Sequence, residues 1–414
     1  MSLRYTGAWL QDGTFNPLTA PTGSPYLQYG GIWTTSQATD AVASGTWAVP
    51  PSPHLYAWGY NNRGQLGLGS ITSYSSPKQV GSLTIWTKVG YGNGFTLAIK
   101  PDGTLWSWGY NNVGQLGLGN ITSYSSPKQV GSLTNWSTVC NADFGGGGGP
   151  SSFAIKTDGT LWAWGQNSSG QLGLNNLTLY SSPIQVGSLT NWKYVSTGGL
   201  AVLAIKTNGT LWGWGSGTGY KLGLGNTTTY SSPTQVGSLT NWFSVCAGQQ
   251  IPSGSLNVGI AVKTDGTMWT WGYSNSGGFG TGLVGYCSSP KQVGALTTWV
   301  SAASATESAI ALKTDGTLWT WGKNQFGQLG QGNLTYLSSP KQVGSLTNWS
   351  KPTFGGNAAV LKTDGTLWVW GNNSQGQLGL GNTTYCSSPK QVGSLTNWLS
   401  VTAGYYFTLA IAKT

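Results

Sequence analysis

The sequence predicts an all-β fold, a seven-bladed β-propeller of four-stranded blades, and three observations carry that prediction. A Trp-Gly pair returns at seven repeat-equivalent positions, Trp58, Trp108, Trp164, Trp214, Trp271, Trp321 and Trp370, in steps of 50, 56, 50, 57, 50 and 49 residues. A fixed period near fifty marks a repeat architecture, in which units bury their faces against one another. Most units also carry an Asp-Gly pair between two alternating apolar segments, a strong hairpin signal. Finally, only 7% of the 414 residues are charged, while Gly numbers 66 and Trp 23. An average globular chain is roughly 25% charged, and disorder goes with few aromatics and high charge. Short strands joined by tight turns fit this composition.

Residues 1–53 do not match the repeat and form an irregular N-terminal arm. Pro17, Pro21, Pro25 and the Pro50-Pro51-Ser52-Pro53 break argue against helices there. Its aromatics Trp9, Phe15, Tyr26, Tyr29, Trp33 and Trp47, with only Arg4, Asp12 and Asp40 as charges, suggest an anchoring or oligomerisation segment that becomes buried on a partner.

Residues 54–414 form the propeller. In the unit from 136 to 187, Trp136–Val139 reads as the first strand and Phe153–Lys156 as the second. Thr160–Trp164 reads as the third strand and Ile184–Val186 as the fourth, led in by Tyr180-Ser-Ser-Pro183. Thr157-Asp158-Gly159 joins the second and third, and its Gly accepts the φ > 0 that such turns need. Trp and Leu at fixed positions are expected to pack between blades. The chain stops at Thr414 where Asp-Gly-Thr-Leu-Trp would come next, and the first repeat opens at His54 without its preceding hairpin arm. The N-terminal strand is therefore expected to complete the C-terminal blade, closing the ring and removing free edges.

No site chemistry is legible. His54 is the only histidine and begins the closing strand. Asp102, Asp158, Asp265, Asp315 and Asp364 repeat in the same turn, so they are spread around the ring rather than paired for acid–base work. Gly64-Gln-Leu-Gly67-Leu-Gly69 lacks the Lys-Ser/Thr and helix of a phosphate loop and reads as a structural turn. The four cysteines sit at repeat-equivalent positions without a CxxC pair, which argues against zinc. No enzymatic activity, cofactor or metal is expected.

The net charge of +10 comes mostly from lysines spaced once or twice per repeat, with Arg4 and Arg63 the only arginines. Arg is the side chain suited to bidentate phosphate contacts, so nucleic acid is not the expected partner, although an acidic surface is favoured. No apolar run approaches the roughly 18–20 residues that span a bilayer, and no secretory signal is visible. Membrane insertion is not expected.

Variation gathers in the loops between first and second strands and between third and fourth strands, which emerge on one face. Insertions fall at 143–150 and 249–254, and the residue before Gly-Gln-Leu-Gly changes from unit to unit. A binding surface grafted on loops would use Tyr60, Arg63, Tyr110, Phe144, Gln250, Ile251, Lys323, Phe326, Tyr405 and Tyr406.

The pattern Trp108-Gly109-Tyr110-Asn111-Asn112-Val113-Gly114-Gln115-Leu116-Gly117, followed by Pro127-Lys-Gln-Val130 and later Thr157-Asp158-Gly159, resembles the regulator of chromosome condensation repeat family across residues 54–414. The resemblance implies the seven-bladed propeller. Founding eukaryotic members exchange nucleotide on a small GTPase and bind chromatin. This chain departs from them in having no basic N-terminal tail, no acidic cluster and a single Glu, Glu307. The uniform Gly-Ser-Leu-Thr-Asn-Trp turns look like bacterial and bacteriophage versions. The leading expectation is a non-enzymatic structural or recognition protein of a large particle, such as a bacteriophage virion appendage. It would be made in the host cytoplasm, anchored or oligomerised by the arm, and would meet virion proteins or a host-surface glycan or protein. The alternative is a soluble, cytoplasmic protein-binding propeller, an inhibitor or regulator docking a protein on its variable face.

Overall fold

The computed structural model describes residues 52–82, 85–92, 94–141, 150–248, 258–305 and 307–413, with the backbone alone of residues 3–4 and 32–33. The chain divides into two compact units, Met1–Ser52 and Pro53–Thr414. Within the first, Leu3–Arg4 pairs antiparallel with Ile32–Trp33. Trp9, Phe15, Tyr26, Tyr29, Trp47 and the Trp33 side chain lie outside the described residues.

The second unit is a seven-bladed propeller of four-stranded antiparallel sheets. Blade 1 contains Lys88–Gly92, Phe95–Ile99, Leu105–Gly109 and Tyr124–Gln129. Blade 2 contains Trp136–Asn141, Ser151–Lys156, Leu161–Gly165 and Tyr180–Gln185. Blades 3, 4, 5 and 6 open at Trp192, Trp242, Trp299 and Trp349. Blade 7 combines Trp398–Ala403 and Phe407–Lys413 with Pro53–Gly59 and Tyr74–Gln79 from the start of the repeats. Seven residue pairs, from Pro53 opposite Lys413 to Gly59 opposite Phe407, close the ring.

Each hairpin turn is locked by its own side chains. The Asp158 carboxylate accepts from the Thr160 amide at 2.9 Å and the Thr160 hydroxyl at 2.6 Å, and Trp162 Nε1–H donates to that hydroxyl at 2.9 Å. Lys156 Nζ lies 3.7 Å from the Trp162 ring centroid and 4.9 Å from that of Trp136. The same arrangement recurs at Asp102, Asp265, Asp315 and Asp364, and Asn208 reproduces it with an amide oxygen. These threonine hydrogen bonds hold the five carboxyl groups below the usual carboxylate range.

The second strands are buried on both faces, as in Ser151–Lys156. Alternation then divides their side chains between two inter-blade cores. Phe153 and Ile155 pack with Val202 and Trp214 of blade 3, whereas Ala154 packs with Phe95, Leu97 and Leu105 of blade 1. The core thus lies between blades, where burying a large side chain contributes about 1.5–3 kcal/mol.

The fourth strand differs from the sequence expectation. It begins at Tyr180 and includes Pro183, rather than starting at Ile184. Tyr180 pairs with Gly165 across a bulge, and as the outer edge strand it tolerates a proline that cannot donate to a ladder.

Candidate partner-binding face

The first-to-second and third-to-fourth loops of a blade are bonded to one another on one face. In five blades the amide after the Trp-Gly pair donates to the loop beside it, as in Tyr60 to Tyr406 O at 2.9 Å, Tyr110 to Gly94 O at 2.8 Å and Lys323 to Glu307 O at 3.0 Å. The Gly-Gln-Leu-Gly loop is equally fixed. Asn61 Oδ1 accepts the Leu66 amide at 2.9 Å, Gln65 Oε1 accepts the Arg63 amide at 2.9 Å, and Asn61 Nδ2 donates to Ser70 O and Thr72 O. No phosphate cradle is formed, because these glycines and amides are used to build the turn. Arg63 is thereby held on a rigid support at the seam of the ring.

The structure divides the sequence-chosen residues into two groups. Tyr60, Arg63, Tyr110, Tyr405 and Tyr406 lie on blade 7 and its borders, Arg63 reaching Tyr110 of blade 1 and Tyr405 lying beside Gly356 of blade 6. The Arg63 guanidinium lies 3.8 Å from the Tyr110 ring centroid, Tyr60 and Tyr406 are 5.9 Å apart, and Tyr405 meets Tyr406 edge-on at 4.7 Å. Arg63 is exposed and the four tyrosines are half-buried. Lys323 and Phe326 belong instead to blade 5, where Phe326 packs edge-on against Tyr385 of the next blade at 5.2 Å. Phe144, Gln250 and Ile251 lie outside the described residues.

Sequence reasoning missed a third group. Tyr273 stacks on Tyr286 at 4.3 Å, Tyr220 meets Tyr286 at 5.6 Å, and Asn275 Nδ2 donates to the Tyr273 hydroxyl at 2.7 Å. Tyr286 is 65% exposed. A signal was present: Tyr220 occupies the position of the first Gly in Gly-Gln-Leu-Gly and keeps its left-handed backbone, at φ 60.

Glu307 is buried, and its carboxylate accepts the Asn275 amide at 3.0 Å. It braces a loop and offers no exposed charge, and it is the only carboxylate on this face among the described residues. The surface therefore presents phenol rings and cations.

Between the first strands runs a central cavity of about 360 Å³, lined by residues including Tyr91, Cys140, Asn141, Tyr194 and Cys246. Burial pushes the Cys140 thiol up to about 11, so it stays protonated and poorly nucleophilic near neutral pH. Cys140 lies 3.9 Å from the Thr197 hydroxyl, and all four cysteines are free. Among the described residues no group of three or more His, Cys, Asp and Glu could hold a metal. His54 Nδ1 lies 3.3 Å from Gln79 Nε2.

Fold and site together define a closed repeat propeller that presents rigid loops around a ring. The chain belongs to the regulator of chromosome condensation (RCC1) repeat family, whose repeat profile matches residues 54–99, 102–146, 158–205, 208–251, 315–360 and 364–411. A second profile of the same description matches 86–115. Among solved structures, human WBSCR16 is similar at 21% identity and a TM-score of 0.76, covering 88% of this chain and 99% of its own. Prp20p from Saccharomyces cerevisiae is similar at 18% identity and a TM-score of 0.75, covering 89% and 92%. The yeast RCC1 (Prp20) structure with Kap60 gives 19% identity and a TM-score of 0.75, covering 89% and 90%. These likenesses concern the fold. No curated protein sequence matches the chain.

Proposed function

We propose that this chain is a non-enzymatic protein-binding propeller that docks a protein partner on its variable face. The observation that carries the reading is the Arg63–Tyr110 stack between blades 7 and 1, on the same face of blade 7 as the Tyr60, Tyr405 and Tyr406 rings. Tyr and Arg are enriched at binding hot spots, Tyr for its large contact area on few rotatable bonds and Arg for its planar fork of directional donors. A face with exposed Arg63, half-buried Lys323 and a buried Glu307 suits an acidic or hydroxyl-rich partner surface. The solved relatives support protein binding as a use of this fold: Prp20p is described with binding properties to Gsp1p and histones, and yeast RCC1 is bound by Kap60. The particle reading, with a virion location and an anchoring arm, draws no support from the fold or its relatives, and the soluble binder takes precedence. Catalysis has no part in the proposal, because the turn carboxylates stand one to a blade at the opposite end of the strands.

The test compares capture and cross-linking by the full chain and by an Arg63→Ala/Tyr110→Ala variant. A stoichiometric protein partner, cross-linked near residues 60, 63 and 110 and weakened about 30-fold or more by the double change, is expected for hot-spot residues. Equal capture by both proteins, or cross-links confined to the outer strands, would overturn the assignment. Co-purification with particles through residues 1–53 would restore the particle reading.

A further inference from the structure

The opposite face carries one chemistry repeated around the ring. There the Asp-Gly hairpins meet the Gly-Ser-Leu-Thr turns: Trp136 N–H donates to Gly103 O at 3.1 Å, and Trp192 N–H to Gly159 O at 3.0 Å. Leu133, Leu189, Leu239, Leu296, Leu346 and Leu395, one from each of six turns, are 37–47% exposed. The turns rest on the hairpins through their threonines, while their first glycines face open space: at Gly187 nothing lies within 4 Å of where a Cβ would be. Leu83, the equivalent of these leucines before blade 1, lies outside the described residues.

Positive charge accompanies these leucines. Five hairpin lysines sit two residues before an aspartate, which offsets them, whereas Lys206 precedes Asn208. Exposed Lys88, Lys193, Lys351 and Lys413 lie toward the same ends of their strands, so the face has an excess of cations. No helix among the described residues is long and apolar enough to cross a membrane.

We propose that this face docks peripherally on an anionic lipid bilayer, with the leucines entering the interfacial layer and the lysines meeting lipid headgroups. Charge complementarity and repetition select this occupant. A second copy placed face to face would bring the two cationic excesses together. An ordinary protein partner presents different chemistry in each direction and would leave most of six equivalent leucines unused. A bilayer presents the same apolar interior and negative surface everywhere, which is what a ring of near-identical apolar turns on a face with a net excess of lysines can engage at once. This proposal uses the face opposite Arg63 and Tyr110 and does not depend on the protein-binding reading.

Flotation of the full chain with phosphatidylcholine vesicles, with and without phosphatidylserine, tests it. Expected are recovery with the phosphatidylserine vesicles alone, weakening as salt screens the lysines, and about a tenfold loss in a Leu189→Ser/Leu239→Ser/Leu296→Ser variant. An Arg63→Ala/Tyr110→Ala variant should float like the parent, so the two binding proposals fail separately. Near-ultraviolet circular dichroism checks that the serine variant is folded. Absence of flotation with the anionic vesicles at low salt overturns the proposal. So does flotation unaffected by the serine changes, which would mean charge adsorption alone. Self-association that the serine changes abolish, without vesicle binding, would identify a second copy as the occupant instead.

Discussion

Lys221 shows how one residue departs from a repeat without disturbing it. Its position is Gln in five other blades, where the side-chain oxygen accepts the amide two residues before, as Gln115 does from Val113 at 3.0 Å. Lysine cannot accept that bond, and here it is 4% exposed, with burial holding its pKa down at about 8. Between about 8 and the unfolded value near 10.4 the unfolded chain binds more protons, so stability should rise with pH across that window. We expect Lys221→Gln to stabilise the protein by about 1–3 kcal/mol at pH 7, with the advantage shrinking toward pH 10.5. Urea unfolding at several pH values measures it; a pH-independent difference would remove the ionisation argument. The local Asp-x-Thr-x-Trp relay was within reach of sequence reasoning, because all three partners lie within four residues. The environment of Lys221 was not, because its burial arises only in the folded ring.

At the scale of the element, the Gly-Gln-Leu-Gly loop is the coupling between blades. Trp164 of blade 2 donates its indole N–H to Gln115 O of blade 1 at 2.9 Å, and Ser152 Oγ donates to the same oxygen at 2.7 Å. Equivalent indole bonds run from Trp58, Trp108, Trp214, Trp271, Trp321 and Trp370 to the preceding blade. Gly117, at φ +74, is pressed against this indole: a Cβ there would lie 2.8 Å from Trp164 Nε1. Gly187, at φ +62, has the same backbone class and open space. Gly117→Ala should therefore cost about 3 kcal/mol or more and Gly187→Ala about 1 kcal/mol, the difference reporting inter-blade packing. Similar unfolding midpoints for the two variants would mean that backbone strain alone decides. The sequence marked both as turn glycines, but only the neighbouring blade distinguishes them.

For the whole molecule, closure rests on Pro53–Gly59 pairing with Phe407–Lys413. A chain beginning at Tyr60 would leave the Phe407–Lys413 strand as an unpaired edge and remove Leu55, Ala57 and Trp58 from the cores beside it. Such a chain should unfold less cooperatively and aggregate, because an open edge templates further pairing. A chain beginning at Ser52 should keep the parental melting temperature within about 3 °C. Equal melting of all three, followed by calorimetry, would show that the clasp is dispensable.

The sequence by itself determined the period, the blade count, the hairpin turns and the closing strand, because each follows from backbone needs and alternation that act over a few residues and recur seven times. It also placed the variable loops on one face, since an up-and-down blade leaves no other choice. Only the tertiary structure decided which loop residues meet. Arg63 and Tyr110 belong to consecutive blades and touch because those blades pack side by side. The Tyr220, Tyr273 and Tyr286 cluster likewise joins two blades. Contacts between units depend on the angle at which neighbouring blades pack, and no local pattern in the chain encodes that angle.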